Sequence, residues 1–483
     1  MPTFALILVV SACTTTVKVG ESSPPDDSAP PDSPTDSPTD SLTESVPGTD
    51  SVGDSGGVDS ETVPDPVYEH VPVFLFDVSG SITDGEKTAG TLTVVREHDG
   101  TLTDLDDAPV AWEGDIGIEI HGSSSTGYPK QGYKLEARDE TGEDVQTSLL
   151  DLPDGTDWVL HGPYGDKTLL RNALAYRLGA AVAEDTDEWI PRTRFFEMIL
   201  NDNYRGVYLL VERVQRDGDR LDLPRLPDTE EEGDIPGGYI VKIDQHRSAG
   251  FDTRRGTPID YVYPRYEVIT EDQDAYLQDF YNEFEFMLMS DGWDDPTTGY
   301  PSWIAVDSFV DHWLVNELTH NIDAYRLSAY LYKESDADGG LLHAGPIWDF
   351  DRAFGNVNYC SCEQIDGWII DDLTDCGAGY QFPFWWSQLL EEENFQNQLR
   401  CRWESLRGDV LSDESLKLAI AELAEEVAEV EPRDDERWNT IGTYIDPNSY
   451  VGETWEDELS WLQDWLLDRV AWMDENVPGT CGG

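Results

Sequence analysis

The residues best suited to chemistry lie between Asn321 and Gly355. Asn321-Ile-Asp-Ala-Tyr325 and Trp348-Asp-Phe-Asp-Arg-Ala-Phe-Gly355 each place an acidic side chain in a short, irregular stretch. Between them, Ser328–Tyr332 and Leu341–His343 have strand character and are joined by the turn Asp336-Ala-Asp-Gly-Gly340. A hairpin returns its two ends to one place, so Asp323 and Asp349 are expected to meet in one pocket. That layout suits phosphoryl transfer. One carboxylate orients or deprotonates the attacking hydroxyl, and the other holds Mg²⁺ on the phosphates. Two neighbouring carboxylates repel, and a dication removes that conflict. Asp351 is then a second ligand or a structural neighbour. The same residues also admit a plainer reading, with Asp323 capping a helix end and Asp349 satisfied within a turn.

A second stretch bears on phosphate binding. Ile116-Gly-Ile-Glu-Ile-His121 alternates strictly and runs into Gly122-Ser-Ser-Ser-Thr-Gly127, a turn whose backbone N–H groups can cradle phosphates. The turn lacks the Gly-Lys-Ser/Thr ending of a Walker loop and the Gly-x-Ser-x-Gly pattern of a hydrolase elbow. His121 is its strand neighbour, and adjacent strand residues point to opposite faces, which counts against a serine hydrolase.

The elements that must position these residues change character along the chain. Strand-like stretches are predicted at 68–76, 90–95, 116–121 and 133–137, with a hairpin from Phe195 to Glu212 turning at 201–206 and a further strand at 238–243. Helical spacing of apolar residues appears at 169–178 and then dominates, at 275–289, 306–321, 416–430 and 455–473. A β-rich first half followed by a helical second half predicts an α+β fold of two lobes with a cleft between them.

Several of these stretches resemble motifs of the CotH kinase family. They are Gly122-Ser-Ser-Ser with Pro129-Lys-Gln-Gly-Tyr-Lys-Leu135, Leu170-Arg-Asn172, Arg205-Gly-Val-Tyr-Leu-Leu-Val-Glu212, Asn321-Ile-Asp-Ala-Tyr-Arg326 and Gly345-Pro-Ile-Trp-Asp-Phe-Asp-Arg-Ala-Phe-Gly355. They occur in the family's order over roughly Val71 to Gly355. The resemblance implies a two-lobed atypical protein-kinase-like fold, with an N-lobe over 68–270 and a helical C-lobe over 271–483. It also implies transfer of phosphate from ATP, with Mg²⁺ or Mn²⁺, to Ser or Thr of secreted or surface proteins. By position, Asp323 would be the catalytic acid–base residue, with Asp349 and Asp351 at the metal. Lys134 would contact phosphate, paired with Glu212 as kinases pair a strand lysine with a glutamate. Ser123, Ser124, Lys130, Arg171 and Lys242 are further candidates for holding the nucleotide, although each basic residue equally suits a surface salt bridge.

The rest of the chain speaks to location. The apolar run that starts at Met1 and ends Val10-Ser-Ala-Cys13 fits a secretory leader with a lipobox, Cys13 carrying the lipid, although it lacks a basic residue ahead of the run. Residues 14–67, rich in Ser, Thr, Pro and Asp, read as an extended stalk. Four cysteines, Cys360, Cys362, Cys376 and Cys401, follow the aspartate motifs and Cys481 ends the set. In an oxidising compartment this predicts disulfides with one thiol left over, a zinc site being the competing reading. The stapled segment is expected to form one wall of a substrate groove. With 31 Lys plus Arg against 99 Asp plus Glu, the net charge of −68 argues against nucleic-acid binding and against docking on anionic lipid. The resemblance implies a protein substrate at the cell envelope, with membrane contact expected only through the lipid anchor and no oligomeric state implied. Two other readings remain: a non-catalytic surface binding or assembly module that keeps the kinase-like fold, and a nucleotide-dependent transferase acting on glycans or small molecules.

Overall fold

Strands begin where apolar residues alternate. β1 (Val73–Val78), β2 (Thr88–Val95), β3 (Val110–His121), β4 (Gly132–Arg138) and β5 (Asp157–His161) are followed by helix α1 (Arg171–Ala183) and by the hairpin β6 (Thr193–Leu200) and β7 (Asn203–Glu212). Asn201 and Asp202 turn that hairpin at φ 51 and 58, a left-handed conformation that these short polar side chains tolerate. This computed structural model describes residues 68–482 apart from Asp104, Asp187, 227–234 and 245–248. The expected leader, Cys13 and the stalk lie outside the described residues.

The seven strands close into a barrel in the order β1-β2-β3-β4-β5-β7-β6. Closure comes from a parallel pairing of β1 with β6 that sets Val73 opposite Glu197. Inward-facing Phe74, Ile118, Leu135, Trp158, Phe196 and Tyr208 fill the interior. On the outer face, Val159, Phe195, Leu209 and Val211 join Leu174 and Leu178 of α1 in the main core. The β-rich half is thus present as expected, but as a closed barrel rather than the open sheet of a kinase lobe. The difference lies in one non-local strand pair that alternation cannot foretell.

A second sheet is built from β8 (Tyr239–Ile243), β9 (Gly250–Asp252) and β10 (Pro258–Tyr263) together with β11 (Ala329–Lys333) and β12 (Leu342–Ala344), in the order β12-β11-β8-β10-β9. β11 and β12 lie past the boundary expected at residue 270, and they complete a sheet begun before it. Asp65–Gly483 group as one compact unit.

The remaining mass is helical. α2 (Glu271–Leu288) starts on a capping box between Thr270 and Gln273, with Glu271, Asp272 and Asp274 at its positive end. α3 (Val306–Thr319) is buried at every residue from Ser308 onward, as befits a helix at the centre of a bundle. Against it pack α1, α4 (Ile369–Cys376), α6 (Glu393–Arg407) and α9 (Trp455–Asn476), while α5 (Trp385–Leu390) lies on α6, α7 (Asp413–Val427) on α1 and α9, and α8 (Glu431–Trp438) on β7; Trp313, Trp385, Trp403 and Leu466 share the core. Cys360–Cys376 staples the loop that leads through α4, and Cys401–Cys481 ties α6 to the chain's end. Cys362 is the buried free thiol. With four cysteines in disulfides, the described residues hold no thiolate set for zinc.

Candidate active site

The predicted hairpin forms, with Leu331 opposite Ala344 and Lys333 opposite Leu342. The segment leaving α3 and the segment following β12 are thereby brought to the same end of the sheet. Asp323 sits on the first, its N–H donated to Asn321 Oδ1 at 3.1 Å and its carboxylate paired with Arg326 at 3.0 Å. Asp349 sits on the second in a left-handed conformation, φ 65, which costs about 1 kcal/mol or more outside glycine. Side chains from α1 hold it there. The Asp349 N–H donates to Tyr176 Oη at 3.3 Å, and the next N–H, of Phe350, donates to Asn172 Oδ1 at 2.6 Å. Because the Asn172 oxygen is taken, its amide nitrogen donates to His161 Nε2 at 3.0 Å, which leaves the imidazole proton on Nδ1.

Asp323, Asp349 and Asp351 line a single cavity of about 680 Å³. Burial, then the carboxylates of Asp351 and Asp323, push Asp349 well above the usual carboxylate range. Burial also raises Asp323, against the pull of Arg326 and Arg352, and it raises Asp351 against Arg352. Mutual repulsion among buried oxygens is what a bound cation relieves, and an all-carboxylate donor set suits a hard ion such as Mg²⁺ or Mn²⁺. Lys134, Lys242, Arg326 and Arg352 line the same cavity. Burial and the neighbouring Lys134 and Lys242 hold His121 down to about 3, and burial holds His161 at about 4, so both imidazoles in the wall are neutral.

The other sequence-predicted residues divide into two groups. Ser123 lines the cavity with Ser125, and Ser124 lies between them in a 3₁₀ turn, Ser124–Gly127. Lys134 and Lys242 are there too, but Lys134 does not pair with Glu212. The β3–β4 register sets Glu119 directly across from Lys134, and their charges meet at 3.0 Å. Glu212 is buried elsewhere, gripped by Arg192 at 2.7 Å and by Arg220 at 3.3 Å. Lys130 and Arg171 are also structural. Lys130 makes a buried pair with Asp434 of α8 at 2.6 Å, and Arg171 pairs with Asp166 at 2.5 Å while facing the Trp461 ring. Neither reaches the cavity wall.

Sequence reasoning passed over Asn172, Tyr176, Asp244, Arg326 and Arg352. The two arginines stand inside the quoted aspartate motifs, and basic residues number only 31 in the whole chain. That scarcity was the signal that would have found them. Among the described residues, the one trio of metal-type ligands whose atoms all lie within 4.8 Å is a different one, Glu136, Asp144 and Asp157. Lys87 already bridges Glu136 and Asp157, with Arg138 on the first and Arg213 on the second, so the cluster is neutralised from within.

Two motif glycines explain why the tail belongs with the site. Gly206 has φ 95, and a Cβ there would lie 2.1 Å from the Asp434 carboxylate of α8. Gly355 has φ 68, and a Cβ there would lie 2.5 Å from the Trp465 indole nitrogen of α9. Each motif therefore contains the seat of a C-terminal helix. The family model described as CotH kinase protein matches residues 118–473, from β3 to α9.

The chain belongs to the CotH kinase protein family. The matched CotH region extends well past Gly355, where the recognisable motifs end, and takes in the disulfide-stapled segment and the helical tail. Gly379 and Tyr380, just past the stapled Cys376, stand in the cavity wall. Among curated proteins, none matches the chain.

Proposed function

We propose that the protein is a phosphotransferase of the protein-kinase type, moving the γ-phosphate of ATP to a Ser or Thr hydroxyl of an envelope or surface protein. Membership of a kinase family supports the class of activity. The observation that carries the chemistry is the meeting of Asp323, Asp349 and Asp351 with Lys134, Lys242, Arg326 and Arg352 in one cavity. The barrel and its 3₁₀ turn supply the nucleotide-side wall, and the helical half supplies the carboxylates, which is how the two-lobed reading maps onto this fold. In the proposed setting the protein is exported and lipid-anchored at Cys13, with the acidic stalk holding the domain away from the membrane.

The acceptor hydroxyl oxygen attacks the γ-phosphorus as the bond from that phosphorus to the β–γ bridging oxygen breaks, and ADP leaves. The hydroxyl proton passes to the Asp323 carboxylate, whose raised basicity favours accepting it. Arg326 holds Asp323 in place at 3.0 Å. Lys134 and Lys242 supply charge for the phosphate oxygens. Asp349 and Asp351 would hold the divalent cation, which when bound neutralises phosphate charge. Asn172 and Tyr176 fix the Asp349 backbone so that its carboxylate is preorganised.

Calorimetry of ATP binding tests this reading. Binding is expected to require Mg²⁺ or Mn²⁺, to be lost in Asp349→Asn, and to survive in Asp323→Asn. Absence of metal-dependent binding to the folded wild-type protein would favour the non-catalytic surface module.

A further inference from the structure

A second groove, of about 940 Å³, adjoins the reaction cavity and shares Asp244, Arg326 and Tyr380 with it. One wall is the segment after Cys376, held by ring contacts. The Arg326 guanidinium lies 4.7 Å from the Tyr380 ring centroid, and that of Arg255 lies 5.3 Å from Phe384. The groove is also lined by Arg254 and Arg255, in the turn between β9 and β10. Among the described residues, three arginines thus face one aspartate, Asp244, along this groove.

That balance is the reverse of the chain as a whole, where acids outnumber bases by 99 to 31. In such a chain a basic side chain ordinarily finds a carboxylate. Most do so here, including Arg326 on Asp323. Arg254 and Arg255 are exposed and form no ion pair among the described residues. Stacking on Phe384 occupies a face of the Arg255 guanidinium and leaves the N–H donors at its edge, which match a carboxylate.

We propose that this groove binds the acceptor segment and selects one with Asp or Glu close to the target hydroxyl; the proposal rests on the phosphotransferase reading of the adjoining cavity. Arg326 touches Asp323 and lines both spaces. A peptide lying on Arg254 and Arg255 therefore runs toward the carboxylate that accepts the hydroxyl proton. Leu327, Phe382 and Phe384 give it apolar footing. The net charge of −68 does not oppose this at contact range, because fields are screened beyond about 8 Å at physiological salt while the two arginines act directly.

The test uses the full chain and three labelled peptides. One is Ser-Pro-Thr-Asp-Ser-Pro-Thr-Asp, a sequence present at Ser33–Asp40, the second has Asn for each Asp, and the third has Lys. Fluorescence anisotropy reads binding whether or not phosphate moves, and labelled ATP reads transfer. The acidic peptide is expected to bind about tenfold or more tighter than the Asn peptide, and the Lys peptide more weakly still. In Arg254→Gln/Arg255→Gln that preference is expected to fall to near one, with the change in KM rather than kcat. Equal binding of the three peptides, or a preference unaltered in the double variant, overturns the proposal even if all are phosphorylated. Arginine-dependent acidic binding without transfer would uphold the groove and count against the phosphotransferase reading alone.

Discussion

Replacing Lys130 by Met separates a structural lysine from a phosphate-binding one. The Lys130 ammonium meets Asp434 Oδ1 at 2.6 Å, with side chains 0% and 5% exposed. The same carboxylate accepts the Val207 N–H at 2.7 Å. Burial pushes the lysine down and the aspartate up from their ordinary values, so both partners register desolvation that the pairing only partly offsets. Removing the ammonium leaves a buried carboxylate with one backbone donor, a change that costs about 3–5 kcal/mol. For a unit of roughly 400 residues, with unfolding entropy of about 2.1 cal/mol/K per residue, that is a fall in Tm of about 4–6 °C. Lys130→Met/Asp434→Asn keeps an acceptor for Val207 and removes the orphan charge. It is expected to recover more than half of the loss. The assays are thermal and urea unfolding, with ATP affinity measured on the folded protein. Lys130→Met with Tm within about 1 °C of wild type but with lost nucleotide binding would refute the assignment and restore Lys130 to the phosphate site.

Three other perturbations have defined outcomes. Asp349→Asn keeps a side chain that tolerates φ 65 and removes repulsion with Asp351 and Asp323, so it should raise Tm without metal while abolishing the stabilisation that Mg²⁺ with nucleotide gives wild type, both read by scanning fluorimetry. His312 stacks on Trp386, and burial holds it at about 4, below its unfolded value of 6.5; the unfolded chain takes the proton first, so stability is lost as pH falls from 6.5 toward 4, by at most about 3 kcal/mol, and His312→Phe should flatten that part of the pH–stability curve in urea titrations. Opening Cys360–Cys376, separation 16, should cost about 3 kcal/mol, and opening Cys401–Cys481, separation 80, between about 4 and 5 kcal/mol, measured by unfolding the paired Cys→Ser variants.

Legibility in the sequence follows the range of the interaction. The β11–β12 hairpin was readable because turn and alternation are local, and with it the meeting of Asp323 and Asp349. The β6–β7 hairpin was readable for the same reason. For Lys130 the phosphate and salt-bridge readings both stayed open in the sequence, because its partner Asp434 lies 304 residues away. Glu212 was misplaced because the β3–β4 register sets Glu119 across from Lys134 instead. Barrel closure through Val73 and Glu197 is equally non-local. Gly206 and Gly355 carried a signal that spacing cannot decode: each marks a backbone position that a distant helix approaches too closely for a Cβ. The family's motif region, expected at roughly 71–355, was drawn too early at its start and too short at its end, since the match runs over 118–473 and takes in the helices seated on those glycines.

The most direct test of the central claim is transfer of γ-labelled phosphate from ATP to Ser/Thr peptides by the purified chain. Wild type would be run with Mg²⁺, with Mn²⁺ and with chelator, beside folded Asp323→Asn and Asp349→Asn. The account predicts metal-dependent incorporation that falls by at least about 10²-fold in each variant. Incorporation that persists in both variants, or none in wild type that binds ATP and metal, would contradict it.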